Sequence, residues 1–188
     1  NTTGHSNAGI GEAALVANTT GTRNVAVGNN TLQTNTTGQY NVAIGHLALN
    51  DNTTANSNVA IGTESLDVNT TGADNTAVGT NALGSNTTAA NNVAIGSSSL
   101  TANTTGANNV AVGLSALASN TTAAFNTAIG ACSGKSITTG CHNTSLGAFS
   151  LFTSTTGDCN VAIGHDALFC NNGSTADSNT AVGHKAMC

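Results

Sequence analysis

The chain has 188 residues and a net charge of −5, with three Lys and Arg in all. Charged residues make up 6% of it, against about a quarter in an ordinary domain, aromatics make up 3%, and Pro and Trp are absent. So few cations argue against a nucleic-acid surface, and no apolar run reaches the ~18 residues of a membrane helix.

Asn, Thr, Gly and Ala fill most of the chain, a bias usually associated with low complexity. Here it comes from a repeated template. Counting the Asn of N-V-A-I-G as position 1, rungs begin at Asn7, Asn24, Asn41, Asn58, Asn75, Asn92, Asn109, Asn126, Asn143 and Asn160, in steps of 17. The eleventh begins at Asn179, after a step of 19. The consensus is N-V-A-I-G-x-x-A-L-x-x-N-T-T-G-x-x. The chain opens in mid-repeat at Asn1-Thr2-Thr3-Gly4, as expected for a mature product or a piece of a longer array.

Within a rung, no helical periodicity is present, and 17 residues with Gly-marked corners fit two short strands and two turns. The expected fold is therefore all-β, a parallel β-solenoid of about eleven 17-residue rungs. Positions 2 and 4 (Val25, Ile44) are apolar and flank Ala. Alternation sets them on one face and position 3 on the other, and the expectation is that Val and Ile face the core. Position 5 is Gly in every rung, a corner requiring positive φ or close backbone approach. Position 9 is Leu in nine rungs, with Gly134 and Met187 as exceptions, and is expected in a thin core between two parallel sheets. Position 1 is always Asn, which can hydrogen-bond from rung to rung as a ladder. The eight N-T-T sequons, Asn1 to Asn120 at position 12, and those at Asn143 and Asn172, are likewise expected to serve mostly as ladder or turn residues.

Putting Val and Ile inside leaves position 3 outside: Ala26, Ala43, Ala60, Ala77, Ala94, Ala111, Ala128, Ala162 and Ala181. Ala is a poor strand former, and a water-facing position has no reason to stay small. The expectation is that another backbone lies against this column, making these residues an assembly interface. The alternatives are a crowded corner within the rung and a flat ice-facing stripe.

At N-V-A-I-G-x-x-A-L the chain resembles the head repeats of trimeric autotransporter adhesins. It is still more similar to repeats of phage and virus tail-fibre proteins, with arrays of the form N-T-T-G-x-x-N-x-A-I-G-x-x-A-L. The resemblance covers nearly the whole chain. It implies a left-handed β-roll, a homotrimer with small residues at the threefold contact, and placement outside the cell or on a virion surface, with a cell-surface receptor or glycan as partner.

Residues 1–123 form the regular array, and 124–188 read as capping rungs of the same solenoid. All five Cys follow residue 131 and all four Phe follow residue 124; Gly134 stands for Leu, and Ile137 for Asn. Terminal rungs must differ to close an open sheet edge. Cys141 and Cys159 occupy positions 16 and 17 of successive rungs, and Cys170 and Cys188 positions 11 and 10. At ~4.8 Å between rungs each pair lies within disulfide reach. Two staples are expected, Cys141–Cys159 and Cys170–Cys188, with Cys132 free or intermolecular, in an oxidising compartment. No C-x-x-C spacing supports zinc.

Signs of catalysis are lacking. The eight carboxylates form no column, and there is no nucleophile elbow or phosphate loop. No enzyme activity and no cofactor are expected. His165 and His184 share position 6 in the last two rungs, with His46 in the same column far away. They read as solvated surface histidines, the alternative being a metal or anion site near a trimer axis. The remaining candidate is the Thr-Thr pair at positions 13 and 14. Its second member forms the column Thr20, Thr37, Thr54, Thr71, Thr88, Thr105 and Thr122, the pattern of an ice-binding β-solenoid face. Such faces usually present Thr at i and i+2, whereas adjacent Thr residues point to opposite sides. The expected function is a fibre or adhesin segment presenting an elongated surface for attachment. Ice binding and a self-assembling extracellular filament are the alternatives.

Overall fold

The computed structural model describes residues 1–170 and 176–187. Among these, eleven three-residue strands run from β1 (Ala8–Ile10) and β2 (Val25–Val27) to β10 (Val161–Ile163) and β11 (Thr180–Val182). All pair in parallel, in sequence order, in a single sheet. Pairing is position for position, Ala26 on Ala43 and Ala43 on Ala60, and it carries across the 19-residue step, with Ala162 on Ala181. The chain is thus a β-solenoid with one residue column per template position.

The rung has one strand where two were expected. Positions 7 and 9 take positive φ in every rung, as at Ser98 (φ 56) and Leu100 (φ 49), so the second arm is not extended. It still pairs between rungs. Leu32 N–H donates to the Ala48 carbonyl of the next rung (3.2 Å), and Leu47 N–H to the Asn29 carbonyl of the preceding one (3.1 Å). A left-handed backbone at a residue with a Cβ costs roughly 1–2 kcal/mol. Burial of the Leu side chain, worth ~1.5–3 kcal/mol, offsets it: Leu32 to Leu117 are fully buried.

The strand faces the opposite way from the sequence expectation. Position 3 points inward: Ala26, Ala43, Ala60, Ala77, Ala94, Ala111, Ala128 and Ala162 are fully buried and Ala181 nearly so, all in one cluster with the Leu column. Val at position 2 is half-buried, and at position 4 Ile44, Ile61, Ile95 and Ile129 are 37–40% exposed. The cause is the narrowness of the rung. A Cβ at Gly9, the position 3 residue of the first rung, would lie 3.4 Å from the Ala14 carbonyl and 3.8 Å from Leu15 Cδ1. Another backbone does lie against the Ala column, as the size argument required, but it is the second arm of the same rung.

Two polar ladders complete the interior. At position 1, Asn24 Oδ1 accepts from the Asn41 N–H (2.9 Å) and Asn41 Nδ2 (3.2 Å), while Asn24 Nδ2 donates to the Gly38 carbonyl (2.8 Å). At position 12, Asn35 Nδ2 donates to Asn18 Oδ1 and Asn52 Nδ2 to Asn35 Oδ1, both at 2.8 Å, and the column runs on to Asn120. The sequon residues from Asn18 to Asn120 are therefore buried ladder residues, as expected. Asn172 lies outside the described residues.

The substitutions in rung eight compensate one another. Ile137 is buried where the ladder Asn would stand, and a Cβ on Gly134 would come within 3.1 Å of Ile137 Cδ1 and 3.0 Å of Leu117 Cδ2. Ile137 fills the volume that a position 9 Leu occupies elsewhere. The ladder breaks there, leaving Asn120 Oδ1 buried without a hydrogen-bond partner.

Candidate functional site: the outward strand face

Because the interior takes only small residues on the strand side, the β-branched side chains that favour a strand are displayed outside. Along the stack, position 2 presents Ala8 in the first rung and Val or Thr thereafter, and position 4 presents Val, Ile or Leu. The position 4 column includes Ile10, Ile95, Leu146 and Val182, all counted among the exposed large hydrophobics. Strict pairing register keeps both columns straight. The result is a strip two side chains wide, apolar throughout at position 4 and mixed Val and Thr at position 2, and, at ~4.8 Å per rung, ~50 Å long. Contiguous exposed apolar surface of this kind is often functional. The sequence reading missed this strip by assigning the columns to the core. The available signal was residue size: only the Ala column suits a narrow interior.

The Thr pair divides as alternation predicts. Thr19 N–H, Thr20 N–H, Gly21 N–H and Thr19 Oγ1 all donate to the Thr36 carbonyl, at 3.0, 3.1, 3.3 and 2.9 Å. The position 13 hydroxyl is thus engaged in the corner. The position 14 residues Thr20, Thr37, Thr54, Thr71, Thr88, Thr105 and Thr122 are exposed, a hydroxyl row one residue wide.

The expected disulfide Cys141–Cys159 is absent. Cys132, Cys141, Cys159 and Cys170 are free thiols. Although Cys159 N–H donates to the Cys141 carbonyl (3.0 Å), Cys141 Sγ turns toward the preceding rung, accepting from Ala124 N–H at 3.4 Å. Cys188, the other half of the second expected staple, lies outside the described residues.

The carboxylates are less scattered than the sequence suggested. Asp67 has its pKa raised, first by burial and then by the charges of Asp51 and Glu64, with His46 acting the other way. Three of the C-terminal Phe residues cluster. Phe152 stacks on Phe169 (5.1 Å, 2° between planes), Phe149 meets Phe152 edge-on at 5.6 Å, and Lys135 lies over Phe152. His165 and His184 lie one rung apart with ring centroids 5.4 Å from each other. Among the described residues, no group of three or more His, Cys, Asp or Glu side chains is placed to hold a metal, and no helix is long and apolar enough to cross a membrane. No family model, curated protein or solved structure matches the chain.

Proposed function

We propose that the chain is a structural fibre or adhesin-type segment that self-associates through its outward Val/Ile strand face. The observation that carries this reading is the outward position 4 column, apolar in all eleven rungs of the sheet, beside a position 2 column of mostly Val and Thr. Hydrophobic stabilisation scales with apolar area removed from water, and a straight strip of identical columns is self-complementary between copies in register. Rotational symmetry about an axis parallel to the stack brings equivalent rungs together and buries the strip. Three copies is the number that the tail-fibre and adhesin resemblance implies, and the surface of a cell or virion is the corresponding location. The columns facing the axis are positions 2 and 4, not the buried Ala column. The remaining faces carry attachment.

Light scattering at micromolar concentration tests the reading. The parent is expected to be a trimer, and Ile61→Glu combined with Ile95→Glu a monomer with an unchanged β circular dichroism spectrum. A monomeric parent overturns the proposal. In that outcome thermal hysteresis becomes the next measurement, since the exposed Thr row and the outward Val/Thr columns then face water.

A further inference from the structure

We propose that His165 and His184 together bind one divalent transition-metal ion of the zinc type, bridging rungs ten and eleven. The inference does not depend on the assembly of the chain.

The first support is distance. Two imidazoles that each give one nitrogen to a tetrahedral ion, at ~2.0–2.1 Å and with a ring radius of about 1.1 Å, have centroids roughly 5.2 Å apart. The observed separation is 5.4 Å.

The second support is that the scaffold holds this distance. β10 and β11 are paired two positions upstream, Ile163 on Val182, and Gly183 N–H donates to the Ile163 carbonyl (2.8 Å). Next to the pair, Lys185 N–H donates to the His165 carbonyl (2.9 Å). The two Cα positions are thus fixed before any ion arrives, so little ordering cost remains for binding.

The third support is the outer partner of His165. Its Nδ1 lies 3.0 Å from Asp166 Oδ2. Donation from Nδ1–H to that carboxylate leaves Nε2 with the lone pair and orients the ring, the arrangement found behind metal-bound histidines. Both imidazoles are exposed, the His165 side chain at 53%, so water fills the other coordination positions. The ligand set is two nitrogens and water, which suits zinc, copper or nickel rather than calcium or magnesium. His46 occupies the same column in rung three, with Asn29 and Thr63 as its neighbours in that column, and is the internal control.

The experiment is titration of the full chain with Zn²⁺ alone, followed by calorimetry and by the side-chain nitrogen resonances of the histidines. One ion per chain is expected, with the His165 and His184 signals moving together and His46 unmoved. His165→Ala and His184→Ala should each abolish the uptake, and Asp166→Asn should weaken it ~10–100-fold. His46→Ala should bind as the parent does. His46, His165 and His184 are exposed and Asp166 is half-buried, and an unchanged circular dichroism spectrum verifies that each variant folds. The proposal is overturned if Zn²⁺ leaves both resonances in place, or if the His165→Ala and His184→Ala chains bind it as tightly as the parent.

Discussion

Ala94 is fully buried, and Ile95 beside it is 40% exposed. Side-chain volume explains the difference, because the interior between strand and second arm is one methyl deep on the strand side and deep enough for Leu on the other. Leu100→Ala should therefore cost ~2–5 kcal/mol, since the rigid stack cannot collapse around the cavity; urea denaturation measures it. Asp67 offers a test in pH. Its folded pKa lies above its unfolded value, so the folded chain binds the proton more tightly. Its contribution to stability is most favourable below the unfolded pKa and declines as pH rises through the folded one. Asp67→Asn should raise the urea midpoint near neutral pH, and the gain should vanish at about pH 3, where the parent Asp is also neutral. A gain that persists in acid would mean that packing, not charge, is responsible.

At the scale of the rung, identity at one position depends on its neighbours. Position 9 keeps a left-handed backbone whether it holds Leu or, at Gly134, Gly (φ 58). Gly134→Leu alone should destabilise, because the new side chain meets Leu117 and Ile137. Combined with Ile137→Asn it restores the template and returns a partner to the orphaned Asn120 Oδ1. A coupling of roughly 0.5–3 kcal/mol is expected from the double-mutant cycle, and additive effects would contradict the volume exchange. The corner Gly at position 5 has no such alternative. At Gly96, φ is +130, and a Cβ would sit 2.5 Å from the Gly113 carbonyl oxygen.

For the molecule as a whole, the stack is quasi-one-dimensional: each rung is held by its two neighbours through backbone bonds, Asn ladders and the Leu column. The position 12 ladder runs through its interior, so folded protein secreted from a glycosylating host should carry no sugar at Asn18, Asn35, Asn52, Asn69, Asn86, Asn103 or Asn120, all of them buried. Intact mass decides this, and glycan at these sites would contradict the buried ladder. The outward strip is also a property of the whole molecule, since one rung contributes two side chains and only register makes a face of them.

Much of this was legible in the residues. A 17-residue step repeated nine times, with Gly at position 5 and Asn at position 1 of every rung, identified a β-solenoid, its rung length, its buried Leu column and its Asn ladders, because each follows from local backbone chemistry recurring at a fixed period. Alternation along Val93-Ala94-Ile95 likewise established that Ala and its neighbours lie on opposite faces. Which face is inside was decided only in three dimensions. The period of two is symmetric between inside and outside, and apolarity favours Val and Ile for the core as long as the depth of the core is unknown. That depth is set by the path of the second arm, where positive φ at positions 7 and 9 folds the backbone against the strand and leaves room for a methyl group. The disulfide at Cys141 and Cys159 failed for a related reason: register brings the two backbones within hydrogen-bonding distance, but a bond also needs converging side chains, and Cys141 turns to the rung before it.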